Sequence, residues 1–305
     1  MKTDSNLERV LEAGHFAVTA ELGPPRSADA EVIRRKARLL KGNVDAFNVT
    51  DGQTAMVRMA SWAGNLIGRQ EGLDGIVQMT CRDRNRVALQ MDILGVAALG
   101  VNNILCLTGD HITFGDHPEA KGVFDLDSIQ FLQIVRQMRD EGKVYSGNEI
   151  EVPPRLFIGA AANPFADPFE FRVARLAKKV AAGADFIQTQ IVYNVDKFAE
   201  WMKRVRDRGL DRQTKILAGV APIRSVGAAR YMKNKVPGMD VPDEVIERLR
   251  GVPREQVSAE GIKVCVDIVN RIQEIEGVAG IHIMAIEWED AVPEIVGHSG
   301  LSPRP

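Results

Sequence analysis

Eight short apolar runs punctuate the chain, and they constrain its fold more than any other feature. They are "FAVTAEL" (16–22), "AFNVTD" (46–51), "IVQMTC" (76–81), "NILCLTG" (103–109), "RLFIGAAA" (155–162), "DFIQTQI" (185–191), "KILAGVA" (215–221) and "GIHIMAI" (280–286). Each is near-continuous rather than alternating, the pattern of a strand covered on both faces in a parallel sheet. Helical periodicity fills the intervals. Residues 29–42 set Val32, Ala37 and Leu40 broadly on one side and stop at Gly42. Residues 168–183 open at Pro168 and stop at Gly183, and further helical stretches cover 86–99, 195–209, 225–236 and 257–277.

Eight strands alternating with helices, with no linker or composition break, predict one (β/α)8 TIM barrel domain over residues 1–305. A doubly wound sheet also alternates, but no GxGxxG follows the first strand. Composition adds exclusions. A net charge of −2 implies no basic face for nucleic acid or an anionic membrane. Three scattered cysteines, Cys81, Cys106 and Cys265, make neither a disulfide framework nor a metal motif, which points to a reducing cytoplasm. The opening "MKTDSNLERVLEAG" lacks the apolar core of a signal peptide. No stretch reaches the roughly 18 uncharged apolar residues of a spanning helix.

In such barrels the chemistry sits at the C-terminal ends of the strands. The eight runs end in Glu21, Thr50–Gln53, Thr80–Asp83, Gly109–His111, Asn163, Gln188 with Gln190, Arg224–Ser225 and Glu287–Glu289. Asp51, Asp83 and Asn163 suit helix capping as well as ligand contact. Glu21 runs into Leu-Gly-Pro-Pro, so no helix start is at hand for it to cap. A carboxyl at an apolar strand end costs several kcal/mol unless something compensates. Gln188 and Gln190 are two apart on a strand and face the same side. The segment 109–128 is long enough to be a functional loop. Its two histidines, His111 and His117, lack metal-ligand spacing, so no metal site is expected. Arg172, Arg175 and Lys179 form a basic stripe opposite Phe169, Val173, Leu176 and Val180. That stripe reads either as a solvated face or as an anion site near the barrel mouth.

Several motifs, in order, are shared with a known family: "TAELGPP", "NVTDG", "MTCRDRN", "LTGD", "AANP", "KKVAAGADFIQTQIVYN" and "GVAPI". With them the chain resembles methylenetetrahydrofolate reductases. Its ending, "HIMAIEWEDAVPEIV…LSPRP", is similar to the branch that works with a separate iron–sulfur partner subunit. The resemblance implies a flavin-dependent oxidoreductase of one-carbon metabolism. Such enzymes interconvert 5,10-methylenetetrahydrofolate and 5-methyltetrahydrofolate. It makes Glu21 the general acid for folate N10, Asp110 the aspartate beside flavin and pterin, and Gln190 the glutamine that contacts folate and nicotinamide. Thr50, Gln78, Gly109, Asp110, Asp125, Asn163, Arg175, Lys178 and Lys179 fall on cofactor-binding positions, with the lysines near the flavin phosphates.

The pattern departs from the family at Leu22, Gly23, Gln78, Thr108 and Val226. FAD or FMN as cofactor, and NAD(P)H or an iron–sulfur partner as electron source, therefore both stay open, as does assembly into an oligomer or hetero-complex. The physical need for the acid does not depend on the family. A ring C–N bond opens only when the leaving nitrogen is protonated. Burial of a carboxyl favours its proton-bearing form. Two other readings fit a folate barrel: a methyltransferase acting on a corrinoid protein, or a non-catalytic subunit of an electron-transfer complex.

Overall fold

The computed structural model describes all 305 residues. Its strands are β1 (Ala17–Leu22), β2 (Ala46–Val49), β3 (Gly75–Thr80), β4 (Asn103–Leu107), β5 (Phe157–Ala162), β6 (Phe186–Ile191), β7 (Lys215–Val220) and β8 (Val278–Ile283). All neighbours pair in parallel, and β8 pairs with β1 through Val18 and Ile281, which closes the barrel. Around it lie α1 (Asn6–Glu12), α2 (Ala30–Leu40), α3 (Ser61–Arg69), α4 (Arg86–Ala98), α5 (Ser128–Asp140), α6 (Phe171–Ala182), α7 (Val195–Asp207), α8 (Val226–Lys235), α9 (Asp243–Arg250), α10 (Val257–Gln273) and α11 (Ala291–His298). No helix is long and apolar enough to cross a membrane.

Strand parity divides the core. On β1, Val18, Ala20 and Leu22 join the large cluster between strands and helices. Ala17 belongs to a smaller cluster with Ala46, Ile76, Leu105, Phe157, Phe186 and Leu217, and Leu7, Val10 and Leu11 of α1 pack onto it. Helix α1 thus plugs the N-terminal end. Gly159 leaves room there for the Phe186 ring, which a Cβ would meet at 2.2 Å. Above this apolar floor, the same inward parity places Thr19, Asn48, Gln188 and His282, all buried. The barrel interior is therefore apolar at its base, polar at mid-height and open at its C-terminal mouth.

Two aspartates tie neighbouring strands together at the base. Asp45 Oδ2 accepts from the Val18 amide at 2.7 Å, and Asp185 Oδ2 accepts from the Ile158 amide at 2.8 Å. Their charges are matched by Arg304 and Arg139.

The helices differ from the sequence expectations in detail. Helix α2 buries Ile33 with Ala37 and Leu40, and Val32 stays part-exposed. Helix α6 begins at Phe171, three residues past Pro168, and ends as expected at Gly183 in the left-handed region. Helices α1, α3, α5, α9 and α11 lie outside the stretches marked by periodicity. Four of them are nine residues or fewer, too short for an apolar stripe to repeat. All three cysteines are free and buried, and burial pushes the Cys81 thiol up to about 12.

Candidate functional site

A cavity of about 430 Å3 opens at the C-terminal mouth and reaches down to the polar layer. A second lobe of about 260 Å3 shares Glu21, Gln78, Leu107 and Asp110 with it and extends toward Thr50, Thr80 and Gly109. Glu21 stands where the two lobes meet. Its side chain is 14% exposed, and His282 Nε2 lies 3.9 Å from its Oε2. No protein group hydrogen-bonds the Glu21 carboxyl.

Below Glu21 the polar layer is closely bonded. Asn48 Nδ2 donates to Gln188 Oε1 at 2.7 Å, and Gln188 Nε2 donates to Asn48 Oδ1 at 3.0 Å. Gln188 Nε2 also lies 3.1 Å from Thr19 Oγ1 and 3.2 Å from His282 Nδ1. Gln188 is thus fixed within the barrel, whereas Gln190 sits at the mouth. Gln190 Oε1 accepts from the Ile191 amide, which leaves its amide protons free toward the cavity.

The loop after β4 frames the opposite wall. Gly109 has φ +94°, and a Cβ there would meet the Arg82 and Thr80 side chains at 2.9 and 3.0 Å. This is why glycine stands in "LTGD". Asp110 follows at the exposed rim, and its Oδ2 accepts from the Thr54 amide at 2.8 Å.

Helix α6 supplies the positive wall. Arg172, Arg175 and Lys179 all line the larger lobe, and none forms an ion pair. Lys179 is only 7% exposed, and its Nζ donates to the Ala161 carbonyl. Burial first, and the neighbouring Arg175 cation second, lower its pKa to about 8. Lys179 is therefore not on a solvated face, whereas Arg175 is exposed and Arg172 half-buried at the rim. A buried cation with no anionic partner is costly, and an anionic group of a ligand would relieve it. In the smaller lobe the buried Thr50 hydroxyl lacks any protein partner. Together with Gly109, these features fit a phosphate-bearing cofactor with a polar ring edge.

The remaining sequence-nominated positions divide. Gln78 lines both lobes and Asn163 lines the larger one. Asn163 Oδ1 also accepts from the Phe165 and Ala166 amides, so it shapes its own turn rather than capping α6. Lys178 is exposed and turned away from the cavity. Asp125 is engaged by Arg86 at 2.7 Å, which holds its carboxyl down at about 2, and it lies outside both lobes. Asp51 and Asp83 cap nothing. Asp51 accepts from the Thr80 amide and pairs with Arg84, Asp83 pairs with Arg82, and Asn85 caps α4. His111 bonds Thr113 within its own turn. His117 sits by a separate cavity.

Sequence reasoning missed His282, Thr19 and Asn48 as parts of this site. All three carried a usable signal. Each is a polar residue inside an apolar run, at the inward parity that Glu21 also occupies.

The model for "Methylenetetrahydrofolate reductase" matches residues 6–300. The chain belongs to the methylenetetrahydrofolate reductase family. Methylenetetrahydrofolate reductase 2 of Schizosaccharomyces pombe is 27% identical over 83% of this chain. A probable methylenetetrahydrofolate reductase (NADPH) of Caenorhabditis elegans is 22% identical over 97% of it. The chain covers 39% and 44% of those two proteins, so it spans less than half of each relative. Among solved structures, a Clostridium thermocellum protein that binds two copies of 5-methyl-5,6,7,8-tetrahydrofolic acid superposes with a TM-score of 0.66. It covers 95% of this chain and 97% of its own at 13% identity, a likeness of fold.

Proposed function

We propose that this chain reduces 5,10-methylenetetrahydrofolate to 5-methyltetrahydrofolate, with FAD as its cofactor. The observation that carries this reading is the single cavity at which Glu21, Asp110 and Gln190 meet the unpaired cations Arg175 and Lys179. A methyltransferase barrel has no need for a buried, unpaired lysine flanked by two arginines at the cavity that holds its acid. The retained carboxyls and glutamine argue against a non-catalytic scaffold.

The residues divide the work. Lys179, Arg175 and Arg172 would hold the cofactor's phosphates, and Thr50, Gln78 and Gly109 would contact its ring. A bound flavin supplies the hydride. Gln190 offers amide protons to the pterin, and Asp110 accepts from it at the rim. Glu21 holds a proton at its carboxyl and gives it to folate N10. The C–N bond then breaks toward nitrogen, leaving an N5 iminium whose methylene carbon accepts the hydride. The apolar floor sealed by α1 keeps water from reaching the site through the barrel axis.

The electrons come from a nicotinamide or from a partner subunit, since the cavity mouth is open to either. The purified chain decides both points. Flavin absorbance with folate turnover is the expected result, using NADH, NADPH and reduced viologen in turn as donors. Turnover with viologen alone identifies a partner-fed enzyme. A folded protein that neither holds flavin nor turns over folate with any donor overturns the reading.

A further inference from the structure

We infer that Thr189 is a positioning residue for Gln190: its hydroxyl pins a bulge between β6 and β7 that sets where the glutamine stands at the cavity mouth. The inference rests on the proposed function, because it takes Gln190 as a folate contact in that reaction.

The two strands change register beside the cavity. Gln188 pairs with Leu217, but Ile191 pairs with Gly219, so three steps along β6 run against two along β7. Bulges of this kind occur beside active sites, where they re-aim a side chain. The extra residue falls within Thr189–Gln190, and both line the larger lobe. Gly219 makes the room. It shares the inward parity of Leu217, yet a Cβ there would meet the Thr189 carbonyl oxygen at 2.3 Å and the Gln190 carbonyl oxygen at 2.9 Å. The β6 backbone therefore lies where a β7 side chain would otherwise fill the barrel.

The Thr189 hydroxyl fastens that arrangement. It accepts from the Gly219 amide at 2.9 Å and donates to the Gln190 carbonyl at 2.9 Å. A backbone N–H only donates and a carbonyl only accepts, so both directions are fixed, and the single hydroxyl proton goes to Gln190. Thr189 is 3% exposed, which keeps the bridge out of solvent. The Gln190 side chain is oriented by the same logic. Its Oε1 accepts from the Ile191 amide at 3.0 Å, which turns Nε2 to the cavity. The amide that meets the pterin thus stands on a peptide held by Thr189.

Two measurements test this. Crystal structures of the ligand-free wild type and of Thr189→Val, which keeps the shape and lacks the hydroxyl, compare the two positions of Gln190. A shifted Gln190 is expected in Thr189→Val, and an unmoved one overturns the inference. In the flavin-loaded enzyme, Thr189→Val is expected to raise the folate KM about tenfold, the worth of one hydrogen bond, with kcat kept within about threefold. Thr189→Ser keeps the hydroxyl and is expected to restore the KM. A folate KM within about twofold of the wild type in Thr189→Val overturns the inference, as does a Thr189→Ser variant no better than Thr189→Val. The double variant Gln190→Ala, Thr189→Val should have a folate KM no higher than Gln190→Ala alone, because Thr189 acts through Gln190. Additive losses overturn the inference. Thr189→Ala makes the same comparisons should Thr189→Val not fold. A wild-type chain without folate turnover overturns the proposed function instead, and the crystal structures then still decide whether Thr189 sets Gln190.

Discussion

Asp110 and Thr54 hold each other: Asp110 Oδ2 accepts a 2.8 Å hydrogen bond from the Thr54 amide. Thr54 has φ 55° and Ala55 φ 57°, a left-handed pair without glycine. Such a conformation costs about 1–2 kcal/mol per residue and persists only where surrounding contacts impose it. The rim carboxylate is one of those contacts, so the site residue and the turn after β2 are one unit.

Substitutions at Asp110 separate its two roles. Asp110→Asn keeps an acceptor for Thr54 but removes the charge. It should leave stability within about 0.5 kcal/mol and lower folate turnover roughly tenfold to a hundredfold. Asp110→Ala removes both and should also cost about 1–2 kcal/mol in urea unfolding. Equal stability of the two variants would show that the Thr54 bond does not hold the turn.

Glu21→Gln addresses the acid itself. Glutamine fills the same space and donates hydrogen bonds but cannot protonate N10. Loss of a general acid is worth about 10²–10⁴ in rate. Stopped-flow measurement should show folate turnover reduced by that factor, while reduction of the bound cofactor by viologen proceeds. A wild-type folate rate in this variant rules Glu21 out as the acid.

The barrel and the place of Glu21 at its mouth were legible in the sequence because both follow from short-range pattern. Eight buried runs separated by helices, with no GxGxxG after the first and no composition break, favour a closed barrel over an open sheet, and Glu21 stands out at the end of the first. Gly109 was legible as part of a motif, though the reason for it is a clash with Thr80 and Arg82 that no local pattern encodes. Lys179 was ambiguous. A stripe at i, i+3 and i+7 looks the same whether it faces solvent or a cavity, and only the packing of α6 on β5 brings its amine to the Ala161 carbonyl. Lys178 and Asp125 lie outside both lobes. Matching a family position places a residue in the chain but does not turn its side chain, and Arg86 has taken Asp125. His282 was hidden because its partners come from β1 and β6, which are far from β8 in the sequence.

Arg304 makes a stability prediction at the other end of the barrel. Its guanidinium pairs with fully buried Asp45, through Nε at 3.1 Å, and donates to the Phe16 carbonyl at 2.8 Å. Asp45 in turn takes the Val18 amide of β1. Arg304→Met leaves that carboxylate buried without its cation, a change that costs about 3–5 kcal/mol. Urea unfolding should show a lower midpoint with an unchanged slope. The double variant Arg304→Met, Asp45→Asn should recover part of the loss. A midpoint shift under about 1 kcal/mol would mean that water already compensates Asp45.

Lys179 sets a pH dependence whose sign follows from burial. Its pKa falls from 10.5 to about 8 in the ligand-free protein. Below pH 8 the ammonium is charged in both the folded and unfolded chain, and the full penalty of burying it is present. Between pH 8 and 10.5 the unfolded chain binds the extra proton, so Lys179 makes the folded state progressively more favoured as pH rises. Ligand binding runs the other way. A phosphate held against Nζ favours the ammonium, so above pH 8 binding must take up a proton. Affinity for FAD should be flat below pH 8 and should then fall, approaching tenfold per pH unit. Calorimetric titration in two buffers of different ionisation heat counts that proton. Lys179→Met should abolish the uptake, weaken FAD binding and stabilise the ligand-free protein near pH 7. Proton uptake that persists unchanged in Lys179→Met would place the titrating group elsewhere and remove Lys179 from the phosphate site.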